Sequence, residues 1–280
     1  MADFTRANLR GSHFEQVYLN DSTLDQVDFS DGTLHNIRFR NARMTGIDMS
    51  DTRIQDMSLN GALIRGIELV NVSISGDIEN LVINGVDVVP LVSAELDRRY
   101  PDRVKMRPTD PAGFRDAWDI LERLWAGTIE RARTFDPELL HVSVDGEWSF
   151  VETLRHLAFA TESWLHRAIL GDPSPWHALS LPWDQMPDTP GVPRDREVRP
   201  SLDVALELRH DRMAAVRRFI DGLTDESLAA DTVAVDGPGW PENKSYPVRL
   251  CLRIILNEEW EHRLYAENDL DALVARESIR

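Results

Sequence analysis

A chain of 280 residues with 42% hydrophobic and 28% charged side chains has the composition of a folded protein long enough for two domains, each with its own core. Its formal net charge of −17 argues against binding nucleic acid through the phosphates, and no basic leader with an apolar run or long apolar stretch suggests secretion or a membrane span. A cytoplasmic location is expected, with the lone Cys251 as a buried structural thiol rather than part of a disulfide or a metal knuckle.

From Phe4 to Ile74 every fifth residue is apolar, as in Phe4, Leu9, Phe14, Leu19 and Leu24, and the series runs through fifteen positions. A helix repeats at 3.6 residues and a strand at 2, so neither presents this series on one side. The chain must turn at a fixed short interval and stack its corners, which is a solenoid. Two residues before each apolar position, small and larger side chains alternate, as in Ser12, Val17, Ser22, Val27, Gly32 and Ile37, so these also point inward.

The stretch Ala7-Asn8-Leu9-Arg10-Gly11 and its successors resemble the pentapeptide-repeat family. That resemblance implies a right-handed parallel β-helix of square cross-section with four pentapeptides per coil, hence a little under four coils over 1–91. Val or Ile where the family favours a small residue is a departure from its motif. Some relatives imitate duplex DNA and occupy type II topoisomerases. A stack this short suits a scaffold or interaction surface better.

The rhythm fails at Glu79, and Val82–Pro90 reads as a last strand-like piece closing the stack. Ser93 is expected to cap a short helix to Arg99 within a linker over 92–110, the boundary lying near residue 105. From Pro111 the period becomes helical, and 111–280 is expected to hold four helices. The first runs from Pro111 to about Thr134. The second starts at Ser149, which has capping-box spacing to Glu152, and runs toward Gly171. Residues 171–200 carry seven prolines with Trp176, His177 and Trp183 and are expected to form a lid or cover. The third helix spans Ser201 to Gly222 and the fourth Pro247 to about Leu270.

On the fourth helix, Glu258 and His262 intrude on an apolar stripe containing Val248, Cys251 and Ile255. Buried one turn apart, they require an ion pair, hydrogen bonds or a metal. His156, on the second helix, borders the apolar arc, where a structural histidine is equally compatible with the pattern. His166 lies about 80° around the same helix from His156, and His141 and His210 have no partner by spacing.

Trp148-Ser149-Phe150-Val151-Glu152-Thr153-Leu154-Arg155-His156-Leu157, with Leu256-Asn257-Glu258-Glu259-Trp260-Glu261-His262-Arg263 about a hundred residues later, resembles the DinB-like superfamily of four-helix bundles. The resemblance implies a divalent metal, zinc or nickel, held by His156 and by the histidine pair of the last helix, of which His262 matches the second and Glu258 replaces the first. Glu259 and Glu152 are candidates to support the ligands, and His177 to approach from the loop. The family further implies a thiol-dependent transferase acting on a small molecule with a low-molecular-weight thiol as partner; a metal-bound water would serve a hydrolase instead, and bundles with an exposed apolar helix face often dimerise, which makes a homodimer a candidate assembly. The competing expectation is a non-enzymatic interaction protein with a degenerate site, and a topoisomerase-binding DNA mimic ranks last.

Overall fold

The computed structural model describes residues 4–76, 78–144 and 146–277, and the chain divides into two compact units, Met1–Glu79 and Asn80–Arg280. The division falls earlier than the boundary expected near residue 105.

In the first unit six strands of three residues recur at ten-residue intervals: β1 (His13–Glu15), β2 (Thr23–Asp25), β3 (Thr33–His35), β4 (Arg43–Thr45), β5 (Arg53–Gln55) and β6 (Leu63–Arg65). They pair in parallel as β1-β3-β5 and β2-β4-β6. The register sets Phe14 beside Leu34 and then Ile54, and Leu24 beside Met44 and then Ile64. Isolated parallel bridges join Asn8 to Asp28 to Asp48 and Tyr18 to Arg38 to Ser58. Each rung therefore lies 20 residues from its partner, and one coil consumes four pentapeptides. Leu24, Phe29, Leu34, Phe39 and Met44 are buried together with Val27, Ile37 and Ala42 from the alternating position. The small residue has a steric reason at Gly32, where a Cβ would meet the Phe29 carbonyl oxygen at 2.6 Å and that of Ser12 at 3.2 Å.

Between inward positions, every fifth residue from Arg6 to Gly66 has positive φ, including Gln16, Asp21, Gln26, Asn36, Asn41, Gly46 and Gly61. Left-handed backbone at each corner is what turns the chain, and Gly, Asn and Asp tolerate it best. The ladders end at β6, so the fifteen apolar positions do not all stack. Leu69 and Ile74 lie outside any strand and are 49% and 61% exposed. Beyond Arg65 a new rung would be supported by a coil on one side only, which weakens terminal repeats in a stack.

In the second unit, β7 (Val82–Ile83) and β8 (Val86–Asp87) pair antiparallel with each other rather than extending the parallel ladders. Helix α1 (Val89–Arg99) starts four residues before Ser93, with Pro90 in its first turn; the Ser93 hydroxyl instead accepts a hydrogen bond from Arg103. Four long helices follow: α2 (Pro111–Ala132), α3 (Phe150–Thr161), α4 (Leu202–Asp221) and α6 (Val248–Glu277), with a short α5 (Asp225–Ala229) before the last. Trp118, Leu121, Trp125, Leu154, Leu157, Val216 and Leu256 share their core. Helix α3 packs on both α4 and α6, and α2 packs on the same two.

The capping box predicted at Ser149 forms: Glu152 Oε2 accepts from the Ser149 N–H at 2.9 Å while Ser149 Oγ accepts from the Glu152 N–H at 3.4 Å. From Glu162 to Ile169 the helix widens into a π-helix. Two buried arginines on this continuous rod organise the irregular segments. Arg155 donates to the carbonyls of Leu179, Asp195 and Val198 in the proline-rich loop. Arg167 donates to those of Pro173, Val235, Gly237 and Pro241. Loops that would otherwise leave buried carbonyls unpaired gain partners from planar guanidinium groups.

Candidate metal centre

His156 projects from the middle of α3, and Glu258 and His262 lie one turn apart on α6, the helix packed against it. Glu258 Oε2 stands 3.3 Å from His156 Nε2 and 3.1 Å from His262 Nε2. One donor atom from each of the three residues lies within 4.8 Å of the other two. His156 is buried, whereas Glu258 and His262 keep part of their surface toward solvent, so one side of the cluster is open.

The other nitrogen of His156 faces the Leu181 carbonyl at 3.1 Å. A carbonyl only accepts, so Nδ1 carries the proton there; Nε2, 3.3 Å from Glu258 Oε2, donates to the carboxylate when the ring is protonated and offers it a lone pair when the ring is neutral. Leu181 is itself fixed, because its N–H donates to the Arg155 carbonyl at 3.2 Å. One residue of the proline-rich loop thus makes two polar contacts to adjacent residues of α3.

Burial pushes the His156 imidazole below its ordinary pKa against the pull of Glu258, which favours the neutral ring that a metal needs. For Glu258 burial acts upward, but hydrogen bonds and the positive potential from His156 and His262 outweigh it and hold the carboxyl far below the usual range. Two imidazole nitrogens and a carboxylate oxygen form a donor set suited to a borderline divalent cation.

Aromatic side chains wall the cluster. Trp148, just before the α3 cap, has its ring centroid 4.3 Å from that of His156 and 5.7 Å from that of His262, nearly parallel to the latter at 12°. Phe159 lies 6.2 Å from His156 and contacts Trp183, which continues to Trp240.

The structure brings together His156, Glu258 and His262, but the other expected participants take different roles. Glu152 is occupied by Ser149 in the capping box. Glu259 points to another face of α6 and forms a fully buried pair with Arg209 of α4, where burial pushes its carboxyl up despite the guanidinium. His177 is exposed; its Nδ1 accepts from the Leu179 N–H, and its own N–H donates to Glu162. Trp176 lies against Ser163 and Arg167 and packs in one apolar cluster with Phe159, Trp183 and Trp240. Trp148, absent from the sequence-based candidates, had one available signal: an aromatic immediately before the helix cap that carries His156.

A helical protein with an inter-helix two-histidine, one-carboxylate donor set is the class that these observations define. Residues 120–266, just over half of the chain, match the DinB superfamily, and the chain belongs to it. Residues 2–41 match pentapeptide repeats in eight copies. No curated protein and no solved structure matches the chain. Among the described residues no helix is long and apolar enough to cross a membrane.

Proposed function

We propose that the helical unit is a four-helix bundle binding one divalent ion, zinc or nickel, through His156, Glu258 and His262, and acting as a thiol-dependent transferase or hydrolase on a small molecule. The pairing at His156 carries this reading: with Nδ1 donating to Leu181, the neutral ring sets an Nε2 lone pair 3.3 Å from a carboxylate oxygen. Two acceptors at hydrogen-bond distance require a cation or a proton between them. Burial of His156 works against the protonated alternative.

Held by three protein ligands, a divalent ion retains a position for water or a thiol and makes either more acidic. The protein's own residues supply orientation and shielding. Leu181 fixes the ring of His156, Arg155 fixes the loop carrying Leu181, and Trp148 and Phe159 keep one side of the donors apolar. In this reading the N-terminal unit is a right-handed square β-helix that serves as scaffold or interaction surface.

Elemental analysis of untagged full-length protein tests the reading. About one equivalent of metal per chain, lost in His156→Ala and His262→Ala, supports it. A metal-free, folded chain that takes up no added zinc or nickel makes the cluster a hydrogen-bonded remnant and the protein a non-enzymatic interaction module.

A further inference from the structure

Trp148 touches both imidazoles of the donor cluster, and the cluster itself does not hold it there. The indole Nε1–H donates to Asp184 Oδ1 at 3.0 Å. Arg196 pairs with the same Asp184, sets its guanidinium 6.0 Å from the indole centroid and donates to the Pro182 carbonyl at 3.3 Å. These tethers all come from the proline-rich loop. Asp184 and Arg196 are 44% and 33% exposed, so they can separate without opening the core. Ser149 is the cap of α3, which leaves Trp148 outside the helix, where its backbone can turn without unwinding the rod that carries His156.

The two imidazole centroids are 4.8 Å apart, and the indole spans that width. An indole set against both imidazoles leaves less room beside the donors for a thiol on a branched or peptide-like body than for a ligand of two or three atoms in a line. We propose that Trp148, pinned by Asp184 and Arg196, is a specificity-determining wall that sets the bulk of the ligand admitted beside His156, Glu258 and His262. This rests on the metal reading above.

Full-length protein loaded with Co(II) provides the test, since the visible absorption of the ion reports ligand binding without a turnover assay. Azide is the small probe and glutathione the bulky thiol. Trp148→Ala is expected to tighten glutathione binding by about tenfold while azide changes by less than about twofold. Asp184→Asn, which keeps the indole but loosens its tether, is expected to shift glutathione in the same direction by a smaller factor. Glutathione affinity unchanged or weakened in both variants, or both probes shifting by one common factor, overturns the proposal. Failure of the unsubstituted protein to bind Co(II) removes the metal reading and this inference together, whereas cobalt uptake with no change in bulk selectivity removes only the wall.

Discussion

Glu258 replaces an expected histidine, yet its carboxylate reaches both remaining imidazoles, at 3.3 and 3.1 Å. Glu258→Gln keeps the shape and removes the negative charge, so zinc affinity is expected to fall by at least about tenfold, measured by competition with a chromogenic chelator. An unchanged affinity would assign the metal to other ligands. Cys251 lies at the opposite chemical extreme, its thiol pushed up to about 12 by burial. The native chain is therefore expected to resist iodoacetamide at pH 8 and to react after unfolding in urea, as mass spectrometry reads directly. Glu258 and His262 stood out in the sequence by their i, i+4 spacing on an apolar stripe, whereas His156 came forward only through the resemblance to the DinB-like superfamily. The Leu181 carbonyl was not legible, since a main-chain acceptor 25 residues away leaves no mark in residue type.

Helix α3 acts as a peg on which the irregular segments hang. Arg155 makes three hydrogen bonds to loop carbonyls while 1% exposed, and Leu181 returns two contacts to α3. Replacing Arg155 with Met leaves those carbonyls unpaired; a loss of about 3–5 kcal/mol is expected in urea unfolding, and a loss below about 1 kcal/mol would mean that the loop is held by other means. The sequence marked this loop as a cover through its prolines and tryptophans, but it did not reveal the arginine clamps, because an arginine within a helix usually reads as a solvated face. In the repeat unit the reverse occurred. Corner residues at every fifth position from Arg6 are mostly Gly, Asn and Asp, a legible series that the apolar ladder overshadowed. Gln26 holds φ 51° without belonging to that tolerant group, so Gln26→Gly is expected to stabilise the repeats by up to about 1 kcal/mol, seen as a higher melting temperature.

Across the molecule, two compact units solve the burial problem differently: one stacks short rungs around a line of apolar side chains, and the other packs long helices around Trp118, Trp125 and their neighbours. The repeat period made the first legible, but its end was not, because Leu69 and Ile74 keep the five-residue rhythm where the ladders have stopped. Phe39, fully buried in the repeat core, is expected to cost about 3–5 kcal/mol when changed to Ala. Metal content of the folded variant should stay unchanged, since every proposed ligand lies in the other unit. The decisive determination is the metal stoichiometry of untagged full-length protein beside His262→Ala. One divalent ion per chain, absent from the variant at unchanged helical circular dichroism, is the expected result. Equal metal content in the two proteins would contradict a centre built on His156, Glu258 and His262.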